Sequence, residues 1–466
     1  MNNNDFNSYQ SVFSWRYGSK EMRSIFSEQH KFELWRKMWV GLAEAQYKAG
    51  LLSKKEFDDL KKHQNDIDIA RISEIEKDVD HDVVAAIREF AEKAKIGGGK
   101  IHLGATSMDI NDNADILRYS EALYLIEKKM EKLLADLSEK IATYADTPCM
   151  AYTHLNPAEP TTLGYRFAFY AQDILTDYHY LQFIKTQLKA KGFKGAVGTS
   201  ASYTALLGDK EKAWQMEKEA MDSVGLDAAL ITTQVYSRKV DYFILSFLNS
   251  VASSVNKFAS DVRILQSPMY GEWNEPFGKN QVGSSAMPFK RNPKNSEKIC
   301  SLARYVNQLP QIVLENASVS FLERTLDDSA NRRIVLPDAF LAVDEILKTA
   351  DKVLNGLVMN QEKIKINLQT YAPFSATESI LIAAVKKGAN RQEMHEVLRE
   401  IALTAWQDVQ KGKANPIEKL LGENKTIANY LQSKELKKLL DVSDHIGNAP
   451  QRAKKLIKEI KKVVKK

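Results

Sequence analysis

Apolar residues recur every three or four positions through Ile116, Tyr119, Leu123, Ile126, Met130, Leu133, Leu137 and Ile141, which predicts one buried stripe along a helix of many turns. A second stripe runs through Phe243, Leu245, Leu248, Val251, Val255, Phe258, Val262 and Leu265. Glycine is missing between Gly104 and Gly164, and proline between Pro160 and Pro268. Both residues disfavour helix interiors, so their absence permits very long helices. Alternation of the kind that marks strands is scarce. The pattern therefore predicts an all-α chain in three helical regions. Residues 1–107 are read as shorter helices with turns at Gly50 and Gly97–Gly99. Residues 108–359 are read as a long-helix bundle, interrupted near Pro157 and between Gly271 and Pro293. Residues 360–466 are read as short helices punctuated by Pro373, Gly388, Pro416, Gly422 and Gly447. A stripe broader than one seam calls for helix partners beyond those in one chain, so assembly through the bundle is expected.

Composition narrows the function. A chain of 466 residues is longer than one hydrophobic core supports. Hydrophobic residues at 44% and charged residues at 27% are ordinary for a globular protein. The 66 Lys and Arg exceed the 60 Asp and Glu by only six, with both signs interspersed, which argues against a nucleic-acid binder and leaves an anionic small substrate open. Two cysteines, Cys149 and Cys300, give neither a disulfide framework nor a cysteine metal site. No secretory leader and no membrane-spanning apolar run are visible, so the cytoplasm is the expected compartment.

The segment Gly283-Ser284-Ser285-Ala286-Met287-Pro288-Phe289-Lys290-Arg291-Asn292-Pro293 has no apolar period, and two prolines keep it from forming a helix. On its residues alone it is a solvated surface loop or a lid carrying catalytic groups. The segment matches, position by position, the signature of the fumarase/aspartase superfamily, and the chain resembles that superfamily. Thr106-Ser107 with Asp112-Asn113, and Thr153-His154 with Pro157-Ala158 and Thr161-Thr162, are similar to two further superfamily segments in the expected order. Within the superfamily the chain resembles the adenylosuccinate lyases. That resemblance rests on Arg16 to Met22, on Ile25-Phe26-Ser27, on His81-Asp82-Val83, on Tyr236 to Asp241 and on Glu323 to Arg333. It spans almost the whole chain and fades over the last hundred or so residues.

The resemblance implies three helical regions with a long central bundle, a homotetramer whose active sites are shared between subunits, and no cofactor. It implies β-elimination of fumarate from adenylosuccinate, and from the succinyl-carboxamide ribotide of purine synthesis. Such a reaction removes a weakly acidic proton beside a carboxylate, so a doubly charged aci-carboxylate must be stabilised by fixed cations and hydrogen-bond donors. Carried over onto this chain, Lys290 and Asn292 with Thr106, Ser107 and Gln234 grip the two carboxylates, and Ser284 is the general base. His154 is the general acid, oriented by Glu297, and His81 is a substrate contact and a second acid/base candidate. Arg324, Ser329 and Arg333 suit a phosphate, and Arg16 and Tyr17 close the site. Asp82, Thr153 and Lys298 complete the substrate contacts; some relatives place an arginine where this chain has Lys298. Of the chain's eight histidines, most of the other six are read as surface or structural, with His102 lining the site.

Ordinary roles compete with several of these. Thr106-Ser107 reads as a helix cap, and Arg324 and Arg333 read as partners of Asp327 and Asp328 on one helix face. Gly97-Gly98-Gly99-Lys100 invites a phosphate-loop reading, but Ile101 follows the lysine and the segment reads as a plain turn. The cysteine and histidine spacing gives no metal motif. Two other functions are weighed: the same fold acting on argininosuccinate or an amino acid, which would not need the phosphate set, and a non-catalytic scaffold, which would not need five competent catalytic groups.

Overall fold

The computed structural model describes residues 7–441 and 445–464. The fold is all-α, with very little strand among the described residues. The first predicted stripe lies on the 38-residue helix Ser107–Tyr144, and every one of its eight residues is buried. The second lies on Lys239–Gln266, with all but the half-buried Phe243 buried. Leu163–Gln187 and Asp327–Gly356 are the other long helices of the central region.

The chain divides into two compact units, each gathered from three stretches. The first comprises Met1–Lys129, Asp177–Ser253 and Ser301–Lys348. In it the Glu28–Lys48 helix lies against Lys210–Val224, and a Cβ at Gly41 would come within 2.6 Å of Val224 Cγ1, so only glycine permits this approach. Lys129 pairs with Asp344, and Arg332 reaches both Tyr119 and Asp241. Because positions 119 and 129 meet 332 and 344 in ascending order, Ser107–Tyr144 and Asp327–Gly356 run parallel and begin at the same end. Lys185 and Gln182 reach Glu127, which ties Leu163–Gln187 to the same group.

The second unit comprises Met130–Thr176, Ser254–Cys300 and Thr349–Lys466. Here Lys132 pairs with Asp351, and the Tyr170 hydroxyl donates to Asp261 at 2.7 Å. Ala376, Ile380, Ala384, Met394, Leu398, Ile417 and Leu421 form the core of its last part.

Three features depart from the sequence reading. The segment around Pro157 is an antiparallel hairpin, Pro148–Thr153 with Asn156–Thr162, whose prolines and irregular register hid the alternation. Pro373 lies inside the 26-residue helix Gln361–Lys386 and ends nothing, because Ala372, Pro373 and Ala376 are buried and packing outweighs the missing N–H. Pro337 is likewise inside Asp327–Gly356. The outer regions also carry longer helices than expected, of 21 residues at Glu28–Lys48 and 20 at Arg391–Gln410.

Candidate active site

A cleft of about 690 Å³ opens in the first unit, a size suited to a nucleotide. His81, Asp82, Thr106, Ser107, Gln234, Arg324, Ser329 and Arg333 all line it. Three helices start there: Asp82–Lys93, Ser107–Tyr144 and Asp327–Gly356. Helix starts leave backbone N–H groups without intrahelical acceptors and carry partial positive charge, so three together favour an anion.

Each start is held by local chemistry. Asp109 reaches back from the first turn of Ser107–Tyr144 to accept from Thr106 N at 3.0 Å, which makes Thr106 the cap position as its ordinary role suggests. Asp109 is itself buried, with Lys191, Gly195 N and Tyr203 Oη as donors. His81 caps Asp82–Lys93, its Nδ1 accepting from Val84 N at 3.4 Å.

Beneath the cleft lies a buried charge network. Arg238 joins Asp112 at 3.0 Å to Asp328 at 2.7 Å, and Arg324 bonds the other oxygen of Asp328 at 2.7 Å. Arg332 bonds Asp241 at 2.7 Å and the Tyr236 hydroxyl at 2.6 Å. Burial pushes the Asp328 carboxyl up, but Arg238, Arg324 and Arg332 together outweigh it and hold the group below its ordinary value. For Asp112 burial wins, and its carboxyl is raised despite Arg238. The Tyr236 to Asp241 motif thus supplies scaffold under the cleft, and the Glu323 to Arg333 motif supplies both scaffold and lining. Of the two ion pairs weighed for the phosphate arginines, Arg324 does take Asp328, whereas Arg333 reaches Asp82 of another helix at 3.2 Å. His102 lies beneath the Trp39 indole, whose N–H donates to Nδ1 at 3.1 Å, and burial lowers this imidazole to about 4. It is a neutral structural acceptor. The Gly97–Lys100 segment is a short turn held by Asp59, which accepts from Ile96 N and Gly97 N.

Arg16 and Tyr17 do not line this cleft. They precede Lys20–Ile25, with Arg16 against the Trp15 and Tyr17 rings, and Gly18 N and Ser19 N are bound by Glu345 and Asp344.

The other candidates belong to the second unit. His154 and Leu155 form the two-residue tip of the Pro148–Thr162 hairpin, with φ of 53° and 63°. A two-residue hairpin turn of this hand suits Asn-Gly; a histidine and a leucine there cost about 1–2 kcal/mol each. Thr153 is the last paired residue before the tip, opposite Asn156. His154 is exposed, and its carbonyl accepts from Asn156 Nδ2 at 3.1 Å.

Ser284 sits in the irregular stretch before Lys294–Val306. Its Oγ accepts from Ala286 N at 3.3 Å and Met287 N at 3.1 Å, two donors aimed at one hydroxyl oxygen. The loop folds back on itself: Asn292 Nδ2 donates to Gly283 O at 3.3 Å, and a Cβ on Gly283 would lie 2.1 Å from Lys290 O. Only glycine fits there. Lys290 and the apolar Phe289 are exposed. The loop's end is anchored by buried Glu275, which accepts from Asn295 N, Asn295 Nδ2 and Ser296 N at the start of Lys294–Val306. Glu297 lies in that helix's first turn, and Lys298 follows it.

Sequence reasoning missed Asp109, Glu272 and Tyr270, all of which hold candidate segments in place. Asp109 was legible as an acid three residues beyond a cap; the other two carry no local signal.

The general lyase family matches residues 17–307, and the family described as adenylosuccinate lyase C-terminus matches residues 373–456. Adenylosuccinate lyase of Saccharomyces cerevisiae is 37% identical over 98% of this chain and 95% of its own length. The Schistosoma mansoni enzyme is 38% identical over 90% and 88%, and the Pyrococcus horikoshii enzyme 35% over 96% and 97%. In three dimensions the chain is similar to a fumarate lyase from Mesorhizobium sp. BNC1, with a TM-score of 0.84 and 23% identity over 97% and 99% of the two chains. It is also similar to 3-carboxy-cis,cis-muconate lactonizing enzyme from Pseudomonas putida, at 0.84 and 24% over 98% and 100%; these two likenesses establish the fold. At this identity and coverage, to relatives from yeast, a flatworm and an archaeon, the chain is a lyase and belongs to the adenylosuccinate lyase family.

Proposed function

We propose that this chain eliminates fumarate from adenylosuccinate to give AMP, and from succinyl-aminoimidazole-carboxamide ribotide, with Ser284 as general base and His154 as general acid. The observation that carries the reading is the cleft that gathers His81, Asp82, Thr106, Ser107, Gln234, Arg324, Ser329 and Arg333 around three helix starts. Those starts and the arginine forks suit a substrate that is anionic at both ends. Arg324, Ser329 and Arg333 take the phosphate; Thr106, Ser107 and Gln234, with Lys290 and Asn292 from the loop, take the succinyl carboxylates.

In the reaction, Ser284 Oγ removes the proton from the carbon beside the carboxylate, and the electron pair moves into an aci-carboxylate held by Lys290 and the helix-start amides. Return of that pair forms the fumarate double bond and breaks the carbon–nitrogen bond, while His154 supplies the proton the nitrogen needs. A serine hydroxyl is a weak base in water. The two N–H groups that converge on its oxygen favour the charged form, and their effect grows when the loop closes and excludes water. Glu297 orients His154. Arg16, Tyr17, Thr153, His81 and Lys298 complete the substrate contacts.

The active unit is a homotetramer assembled through residues 108–359, with sites shared between subunits, and it works in the cytoplasm. Among the described residues no helix is long and apolar enough to cross a membrane. The test is an assay of purified protein with adenylosuccinate, following loss of the succinyl-adenine absorbance and release of fumarate. Absence of turnover overturns the proposal. An unphosphorylated succinyl nucleoside cleaved as efficiently as the nucleotide overturns the phosphate site.

A further inference from the structure

The tip of the His154 hairpin is held in a conformation its own residues disfavour, and the structure identifies what holds it. Both His154 and Leu155 have positive φ, and neither is glycine or asparagine. Such strain persists only where the surroundings fix it, and it collects at functional sites. Both peptide carbonyls of the tip are pinned. The carbonyl of His154 accepts from Asn156 Nδ2, and that of Leu155 accepts from the Tyr270 hydroxyl at 2.6 Å.

Tyr270 is itself fixed from two sides, with a buried cluster behind it. Its ring stands edge-on to Tyr152 with centroids 4.8 Å apart. The amide of Asn367 donates to Tyr270 O at 2.9 Å and to Glu272 Oε1 at 3.0 Å. Glu272, fully buried, accepts from the Tyr152 hydroxyl at 2.7 Å and from Arg166 Nη1 at 3.1 Å, and Arg166 also reaches Met150 O on the same hairpin strand at 2.5 Å. Every polar group in this cluster therefore bears on the hairpin or on the turn at Tyr270–Glu272. That turn precedes the short strand Trp273–Asn274, after which comes the irregular stretch that carries Ser284.

We infer that Tyr270 is a positioning residue for His154: through its hydrogen bond to Leu155 O, backed by the Glu272 cluster, it fixes the hairpin tip so that the imidazole meets the leaving nitrogen. A general acid works only within hydrogen-bond reach of its target, and a displacement of about 1 Å can cost on the order of 100-fold in rate. This inference rests on the assignment of His154 as general acid.

The experiment is a double-mutant cycle on the full-length enzyme with Tyr270→Phe and His154→Ala. Phenylalanine keeps the ring against Tyr152 and removes only the hydroxyl. Tyr270→Phe alone is expected to lower kcat by about 10- to 100-fold, with KM within about twofold and a larger solvent deuterium isotope effect on kcat, because proton delivery becomes limiting. In the His154→Ala background the same substitution is expected to cost nothing more. An equal loss in both backgrounds, a lowered kcat with an unchanged isotope effect, or wild-type kcat in Tyr270→Phe overturns the inference. A His154→Ala enzyme with normal turnover instead removes His154 from the chemistry, a separate failure that the same measurements identify.

Discussion

At Ser284 and His154 the side chains are ordinary and the backbone around them is not. One hydroxyl sits under two converging amides, and one imidazole is carried on a turn with φ of 53°. Replacing His154 with alanine is expected to lower kcat by about 10²–10⁴, the usual worth of a single general acid, as measured in steady-state assays. Normal turnover would remove it from the mechanism. Arg324→Ala is expected mainly to raise KM, since a phosphate contact is made equally in the ground and transition states; an unchanged KM would take it out of the phosphate site. The Ser284 loop was legible in the sequence because prolines and polar residues interrupt a helical pattern there. Tyr270 was not. It lies among Pro268, Met269 and Gly271 with no periodic pattern, and its role depends on Leu155, more than a hundred residues earlier in the chain.

Helices were the most readable elements, because burial follows the three-to-four spacing whatever the partner. Every residue of the first stripe is buried, so the Ser107–Tyr144 helix could be placed from its pattern alone. The hairpin was not readable, since a strand containing Pro157 and Pro160 resembles a loop until its partner is known. Pro373 misled for the opposite reason: a local breaker was overruled by packing around it. The loop and the helix that follows it meet at Glu275, whose carboxylate takes three donors in a buried setting. Glu275→Ala is expected to destabilise the protein by about 2–3 kcal/mol, because buried donors at the helix start lose a charged acceptor. Thermal or urea unfolding measures this, and a wild-type midpoint would show that the cap is dispensable.

For the whole molecule, the candidate groups fall into two sets, the cleft with Arg16 and Tyr17 outside it in one compact unit, and His154 with the Ser284 loop in the other. If active sites are shared among subunits, an inactive His154→Ala enzyme and an inactive Ser284→Ala enzyme should restore part of each other's activity when their subunits are exchanged. Mixed tetramers verified by native mass spectrometry and still inactive would argue against sharing. Family membership was legible in the signature and its companion motifs, which sample residues 16–333. The division into two units was not, because each collects stretches separated by dozens of residues.

The parallel pair of long helices has one more consequence. Side chains can lose their charge to a proton, but the amide groups that open Ser107–Tyr144 and Asp327–Gly356 carry their polarity in the main chain itself. A cleft built over them keeps a main-chain contribution in favour of negative groups that acidity cannot switch off and that no single side-chain replacement removes.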